Sequence, residues 1–326
     1  MNIAEKNSVI PQLEELLKDR DSALDVVIIG GGPAGLTAAI YCGRAGFRTL
    51  LIEKAILGGQ LAEISEIENY PGFPSGISGM ELSERLEDQA KKFGCQVVFG
   101  DVVKISKEGL LVRTLLADRS ILSRALIIAT GTEPKKLGIP GEKEFRGRGV
   151  SYCATCDGAF YRDRAIAVIG GGNSAISEAL FLTRFASSLV VVHRRDRLRA
   201  DKVLSDRALD HPKISVKWNC VPEKINGQGK VESLSVKNVL DGTKEDLPVD
   251  GVFVYIGEEP NTGFLAGALK AGGDGFLPSD AMMLSSVPGI FVAGDVREKS
   301  LRQISTAVSD GATAADSARK YLENML

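Results

Sequence analysis

Asp25-Val26-Val27-Ile28-Ile29-Gly30-Gly31-Gly32-Pro33-Ala34-Gly35 decides the architecture of this chain. Its first five residues are a continuous β-favouring run, and the six after them are a glycine-rich turn. An apolar, alanine-rich segment then runs to about residue 45 with helical character. Gly30 permits the tight turn, Gly32 lets a pyrophosphate approach the backbone, and Gly35 lets the helix pack closely on the strand. The helix start turns its free N–H groups toward the phosphates. Residues 49–52 form a second strand that ends in Glu53, whose carboxylate can accept hydrogen bonds from a ribose. Strand, turn, helix, strand and terminal acid in this register specify a dinucleotide-binding unit.

The same pattern returns further along. Residues 165–169 read as a strand, Gly170-Gly171-Gly172-Asn173-Ser174-Ala175 as a phosphate turn, 177–185 as a helix and 188–192 as the next strand. Two dinucleotides are therefore expected. The second strand runs not into an acid but into His193-Arg194-Arg195-Asp196-Arg197-Leu198-Arg199. Guanidinium groups in that place offer bidentate bonds to a 2′-phosphate, which predicts NADPH rather than NADH. Gly170, Gly172, Asn173, Ser174, Ala175, His193, Arg194, Arg195 and Arg199 are the expected NADPH contacts.

Immediately before the second turn stands Ser151-Tyr152-Cys153-Ala154-Thr155-Cys156-Asp157-Gly158. Only here are two thiols close enough in sequence for a small-loop disulfide that can cycle with a dithiol. Half of a zinc site is the alternative reading of the spacing. The other three of the five cysteines, Cys42, Cys95 and Cys220, are isolated and read as buried apolar fillers.

Between the first unit and this pair lie Gly58-Gly59-Gln60-Leu61 and the turn-rich run 68–74, a loop long enough to wrap a cofactor. A helix is expected over 80–93, with Leu82, Leu86 and Ala90 inward, followed by strands over 96–105, 110–116 and 120–128. Ala129, Thr130 and Gly131 are small enough for close approach to a ligand, and Glu133-Pro134 turns the chain. Residues 213–218 and 230–239 read as strands of a small sheet, and 251–257 as another apolar strand. Glu258-Glu259-Pro260-Asn261 resembles the earlier break in composition. Paired breaks imply that the second unit is inserted in the first. In the last segment, residues 289–296 end a strand in Gly294-Asp295, whose carboxylate can meet a ribityl hydroxyl. Arg302, Gln303 and Ile304 lead into a helix expected over 305–322.

The expected fold is α/β: two Rossmann-like, three-layer dinucleotide-binding domains, the NADPH domain inserted into the FAD domain. Its divisions are a leader at 1–24, the first part of the FAD domain at 25–134, the NADPH domain with the cysteine pair at 135–260, and the second part of the FAD domain at 261–326. The leader places Ile10, Leu13, Leu16 and Leu17 at the spacing of one short amphipathic helix. A net charge of −2 over 326 residues, without long blocks of one sign, argues against nucleic acid and polybasic membrane binding. No apolar run reaches the length of a membrane span, and residues 1–22 are polar and charged without the apolar core of a signal peptide, so a cytoplasmic protein is expected.

From residue 25 to the C-terminus the order of these motifs resembles the low-molecular-weight, bacterial-type thioredoxin reductases, class II members of the pyridine nucleotide-disulfide oxidoreductases. The resemblance implies a homodimer that uses FAD and NADPH to reduce the disulfide of thioredoxin. It also implies FAD contacts at Gly30, Gly32, Pro33, Ala34, Gly35, Glu53, Lys54, Gly59, Gln60, Leu61, Asn69, Val103, Ala129, Thr130, Gly131, Gly294, Asp295, Arg302, Gln303 and Ile304. Hydride would pass from nicotinamide to flavin and the electron pair on to a Cys153–Cys156 disulfide. Cys153 is the expected attacking thiolate, Cys156 the resolving one and Asp157 the nearby acid; no metal is expected. Leu198 and Ser177 depart from the family's usual aromatic and acidic residues beside the NADPH site. The competing readings are a related flavoprotein serving another dithiol, and a non-catalytic flavin or zinc module.

Overall fold

The computed structural model describes residues 23–64, 67 and 69–325. The expected leader helix lies outside the described residues, as does the side chain of Cys156. The chain forms two compact units. One takes residues up to Thr132 together with those from Pro260 onward, and the other spans Glu133–Glu259.

In the first unit, strands β1 (Leu24–Ile29), β2 (Thr49–Glu53), β3 (Gln96–Phe99), β4 (Val102–Glu108), β5 (Leu111–Leu116) and β6 (Ser120–Ile128) stand in the order β3-β2-β1-β6-β5-β4. β1 runs parallel to both β2 and β6, pairing Ile29 with Ile52 and with Ile128. Such a strand is covered on both faces, which is why its sequence is apolar without alternation. Val26 and Ile28 join the cluster beneath the helices α1 (Pro33–Arg44), α2 (Gly79–Lys92) and α6 (Ile304–Glu323), while Val27 and Ile29 join the cluster on the other face. The first half of β6 pairs antiparallel with β5, and its last residues pair parallel with β17 (Ile290–Val292). The C-terminal segment thus completes the first unit. Ser78 caps α2 by accepting from Glu81 N–H at 3.1 Å.

The strand expected over 96–105 is two strands. Gly100 N–H donates to Glu53 O at 2.8 Å at the end of β3, and the chain then turns into β4, which pairs antiparallel with β5. Alternating burial in β5 marks a sheet with one wet face.

In the second unit the strands β8 (Val150–Ser151), β9 (Ala165–Ile169), β10 (Ser188–Val192), β11 (Ile214–Lys217) and β15 (Gly251–Val254) form an all-parallel sheet in the order β11-β10-β9-β15-β8. Ile166 and Val168 of β9 face α4 (Asn173–Leu182), while Ala167 and Ile169 face an antiparallel meander of β12 (Cys220–Asn226), β13 (Ser233–Asn238) and β14 (Lys244–Pro248). Residues 213–218, expected in that small sheet, supply an edge of the parallel one instead. β12 and β14 were not anticipated, although Asn226-Gly227 and Asp241-Gly242 do turn the meander. Pro222 and the charged residues of β14 weaken the local strand pattern. α4 starts at Asn173, one turn before its expected start. The two chain crossings, β7 (Thr132–Pro134) and β16 (Glu258–Pro260), pair with each other.

Candidate active site

In each unit the central strand has neighbours reached by opposite crossovers, and the glycine turn leaves its C-terminal end at that switch. Gly30 sits at φ +101°, and a Cβ there would lie 2.4 Å from Ala129 O. A Cβ on Gly35 would lie 1.8 Å from Gly30 O, so only glycine lets α1 pack this closely. Gly32 differs: its nearest neighbour would be Gly58 O at 3.8 Å, leaving open space where a ligand can reach the backbone. Gly32 caps α1 without a side-chain hydrogen bond, and Pro33 follows at the helix start, so the remaining first-turn N–H groups face outward. These features fit a pyrophosphate.

Glu53 Oε2 accepts from Gly31 N–H at 2.6 Å and Oε1 from Ala55 N–H at 2.8 Å, which fixes the carboxylate beside the turn. Gly59 lies in a 3₁₀ helix, Gly59–Glu63, laid against Gly32, with Leu61 buried. Gln60 donates to Thr132 O at 2.7 Å, so its amide nitrogen holds the chain near Thr130 and Gly131. Thr130 and Asn261 exchange hydrogen bonds, Oγ1 to Asn261 O at 2.8 Å and Nδ2 to Thr130 O at 3.0 Å. Asn69 and Gln303, distant in sequence, meet through a 3.0 Å hydrogen bond from Asn69 Nδ2 to Gln303 Oε1. Ile304 begins α6, and Arg302 lies 3.9 Å over the Phe276 ring while its Nε donates to Asp295 O. Asp295 Oδ1 is buried with no aligned hydrogen-bond donor, although Lys299 Nζ lies 3.0 Å away as an ion-pair partner, so it can still accept from a ribityl hydroxyl. Lys54 pairs with Asp101 at 3.3 Å at the surface, and Val103 is exposed on β4.

The second turn repeats the first with different locks. A Cβ on Gly170 would lie 2.3 Å from Tyr255 O, and one on Gly171 would lie 2.3 Å from the His193 ring. Gly172 is again open, its nearest neighbour being Arg199 Nη2 at 4.0 Å. Gly171 O accepts from Arg199 N–H at 2.6 Å, and Asn173 exchanges two hydrogen bonds with Asp201, so the arginine loop is strapped to the turn. Ser174 is exposed in the first turn of α4, and Ala175 is buried beneath it. Arg194, Arg195 and Arg199 are exposed and form no ion pair with the described residues. His193, expected on a phosphate, is instead 4 % exposed, and its Nε2 is 2.9 Å from Arg197 O. That carbonyl needs a donor, so Nε2 carries a proton. Burial, with Arg199, Arg195 and Arg194 nearby, holds the imidazole below its ordinary pKa, so it is neutral at pH 7 and shapes the loop.

Ser151 closes β8, and a four-residue helix, α3 (Ala154–Asp157), carries the cysteine motif. Cys153 is in a disulfide. Its N–H donates to Ser151 Oγ at 3.1 Å, and Ala154 N–H donates to the Tyr255 hydroxyl at 2.7 Å. Sequence reasoning missed Tyr255, because nothing local marks a residue after β15 as a partner of α3. Burial raises the Tyr255 phenol above its usual pKa range and also raises Glu178 on α4, whose Oε2 is buried without a partner. Glu142, also missed, is 5 % exposed and takes Leu137 N–H, Gly138 N–H and the Tyr152 hydroxyl at 2.6–2.7 Å, fixing the residue before Cys153. Beside α3 a cavity of about 330 Å³ is lined by Asp157, Phe160, Tyr161, Arg148, Arg164 and Lys230, with Phe160 largely exposed. Cys42, Cys95 and Cys220 are free and buried, as expected of fillers.

The pyridine nucleotide-disulphide oxidoreductase family matches residues 24–311. A thioredoxin reductase of Listeria innocua is 46 % identical over 311 residues, covering 95 % of this chain and 97 % of that protein. That of Bacillus subtilis is 46 % identical over 304 residues, covering 92 % and 95 %. The crystal structure of Lactococcus lactis thioredoxin reductase (FR conformation) superposes with a TM-score of 0.87 at 44 % identity, covering 92 % of this chain and 99 % of that one. Coverage is similar for the crystal structure of T. acidophilum thioredoxin reductase, at a TM-score of 0.84 and 33 % identity over 93 % and 99 % of the two chains. Matched by the family over residues 24–311 and by these relatives over nearly its whole length, the chain belongs to the low-molecular-weight thioredoxin reductases of the pyridine nucleotide-disulphide oxidoreductase family.

Proposed function

We propose that this chain is an NADPH-dependent thioredoxin-disulfide reductase whose redox disulfide joins Cys153 and Cys156. The observation that carries the reading is a disulfide-bonded Cys153 in a turn held by Ser151 and Tyr255, in the same unit as a glycine turn flanked by exposed arginines that form no ion pair among the described residues. When bound, FAD and NADPH supply the hydride chemistry and deliver the electron pair to the disulfide. The unit with Gly30–Gly35, Glu53, the Asn69–Gln303 pair and Asp295 is the FAD domain, residues 25–134 and 261–326. Residues 135–260, with Gly170–Ala175 and Arg194, Arg195 and Arg199, form the NADPH domain.

In the reduced turn, the Cys153 thiolate attacks one sulfur of the substrate disulfide and releases the other as a thiolate. Cys156 then displaces the substrate from the mixed disulfide, which restores Cys153–Cys156 and leaves the substrate as a dithiol. Asp157 ends the same helix, and its nearness in sequence to Cys156 supports its assignment as the acid that serves the departing thiolate. The cavity beside it, with Phe160 and the cations Arg148, Arg164 and Lys230, suits a protein surface with apolar and acidic contacts. Because the redox turn and the NADPH turn share one unit, both have to reach a flavin held by the other unit. We infer that the units reorient between half-reactions about the paired crossings β7 and β16. Homodimeric assembly and a cytoplasmic site of action follow from the family resemblance. Among the described residues no helix is long and apolar enough to cross a membrane.

Anaerobic titration of the yellow protein tests the reading. NADPH should bleach the flavin faster than NADH, and oxidised thioredoxin should restore its colour; Cys153→Ser or Cys156→Ser should bleach normally and fail to be reoxidised. Reoxidation by thioredoxin in either serine variant would refute the assigned disulfide.

A further inference from the structure

Behind Asp295 lies a cluster of charges that none of the sequence motifs announces. Asp310, on the inner face of α6, is 6 % exposed and receives three donors: Gly294 N–H at 3.1 Å, Arg297 Nη1 at 2.9 Å and Lys299 Nζ at 3.1 Å. Arg297 is itself 9 % exposed and donates to Ser279 Oγ at 2.6 Å and Asp280 O at 3.1 Å. The Lys299 ammonium is nearly as buried and also lies 3.3 Å from Thr306 Oγ1 and 3.0 Å from Asp295 Oδ1. Two cations and two carboxylates therefore balance in a place from which water is largely excluded. α6 is locked in position there, since a Cβ on the next residue, Gly311, would lie 2.1 Å from Ala34 O at the start of α1.

We propose that Lys299, anchored by Asp310, is a positioning residue for FAD binding that acts through Asp295. Its contact with Asp295 Oδ1 is an ion pair outside hydrogen-bond alignment, so the oxygen keeps its acceptor capacity for another donor. The ammonium fixes the carboxylate in place at 3.0 Å, and a carboxylate oxygen offers acceptor sites to a donor. Asp295 thereby selects a donated hydroxyl, which is what the polyol chain of the flavin offers. The Asp310 bond to Gly294 N–H fixes the backbone on the other side of Asp295, where Gly294 holds φ +78°. The inference rests on the reading that Asp295 faces FAD.

The rate of FAD release from purified holoenzyme, followed as the rise in flavin fluorescence on dilution, tests it in a double-mutant cycle. Asp295→Asn and Lys299→Met should each speed release about tenfold, the double variant should be no faster than the faster single, and Lys299→Arg should stay close to the parent. Lys299→Gln repeats the cycle if the methionine variant does not fold, and urea unfolding of every variant separates stability from flavin retention. A double variant faster by the product of the two singles, or an unchanged rate in Lys299→Met and Lys299→Gln, overturns the positioning role while leaving the Asp295 reading intact. No change in Asp295→Asn overturns both.

Discussion

Tyr255→Phe removes one oxygen atom and leaves the ring that packs beside β15. That oxygen accepts the Ala154 N–H at 2.7 Å, and Ala154 is 1 % exposed, so no water replaces it. An unpaired buried N–H costs about 1–3 kcal/mol. The cost falls mainly on the oxidised enzyme, where the disulfide at Cys153 holds the turn in place; the dithiol turn is freer to relax and regain a partner. Destabilising the oxidised form makes reduction easier, so the midpoint potential of the cysteine pair should rise. Since about 30 mV corresponds to 1.4 kcal/mol for a two-electron couple, the shift should be about 20–60 mV toward more oxidising values. The phenol stays protonated, because burial raises its pKa further above neutrality, so the shift should be flat across the neutral pH range. Equilibration in dithiol–disulfide buffers, followed by acid quench and thiol alkylation, measures it. An unchanged or lowered potential would refute the argument that Tyr255 holds the oxidised turn.

Replacing Arg195 and Arg199 together by alanine should raise the KM for NADPH about ten- to a hundredfold and leave that for NADH within about twofold, because only the former carries a 2′-phosphate; steady-state kinetics with both nucleotides decides it, and equal losses for the two would place the selectivity elsewhere. Burial raises the Cys42 thiol, and raises Cys95 to about 12, so at pH 8 both are protonated in the folded state. After reduction, two of the five cysteines should therefore alkylate rapidly at pH 8 and the remaining three only on unfolding. Raising the pH to about 9 should not recruit Cys42 or Cys95 while the fold persists, since burial holds both thiols well above that pH. Mass spectrometry of the labelled protein gives the count.

How much of this was legible depended on how locally each feature is encoded. The glycine turns were readable because each combines a chain reversal, a close approach and a helix start within six residues. The strand over 96–105 was misread because Gly100 interrupts a run whose composition stays β-favouring on both sides. Residues 213–218 read as a short apolar strand, but which sheet accepts such a strand depends on partners far away. His193 directly precedes the arginines in sequence, and only packing against Gly171 turns its ring inward. Asn173 and Asp201 lie 28 residues apart, so their double hydrogen bond left no local trace. Asp310 did carry a signal: it occupies the face of α6 that holds Ala307, Gly311 and Ala314, where an acid needs a buried partner.

The sequence by itself determined the two dinucleotide units, the disulfide turn and the arginines after β10, because these depend on backbone freedom and side-chain chemistry within a few residues. Tertiary structure alone decided which groups hold those motifs in place: Tyr255 on Ala154, Glu142 on Tyr152, Gln303 against Asn69, and the buried charges behind Asp295. A buried hydrogen bond or ion pair needs a partner at a fixed distance in space, and the chain leaves the distance in sequence unconstrained.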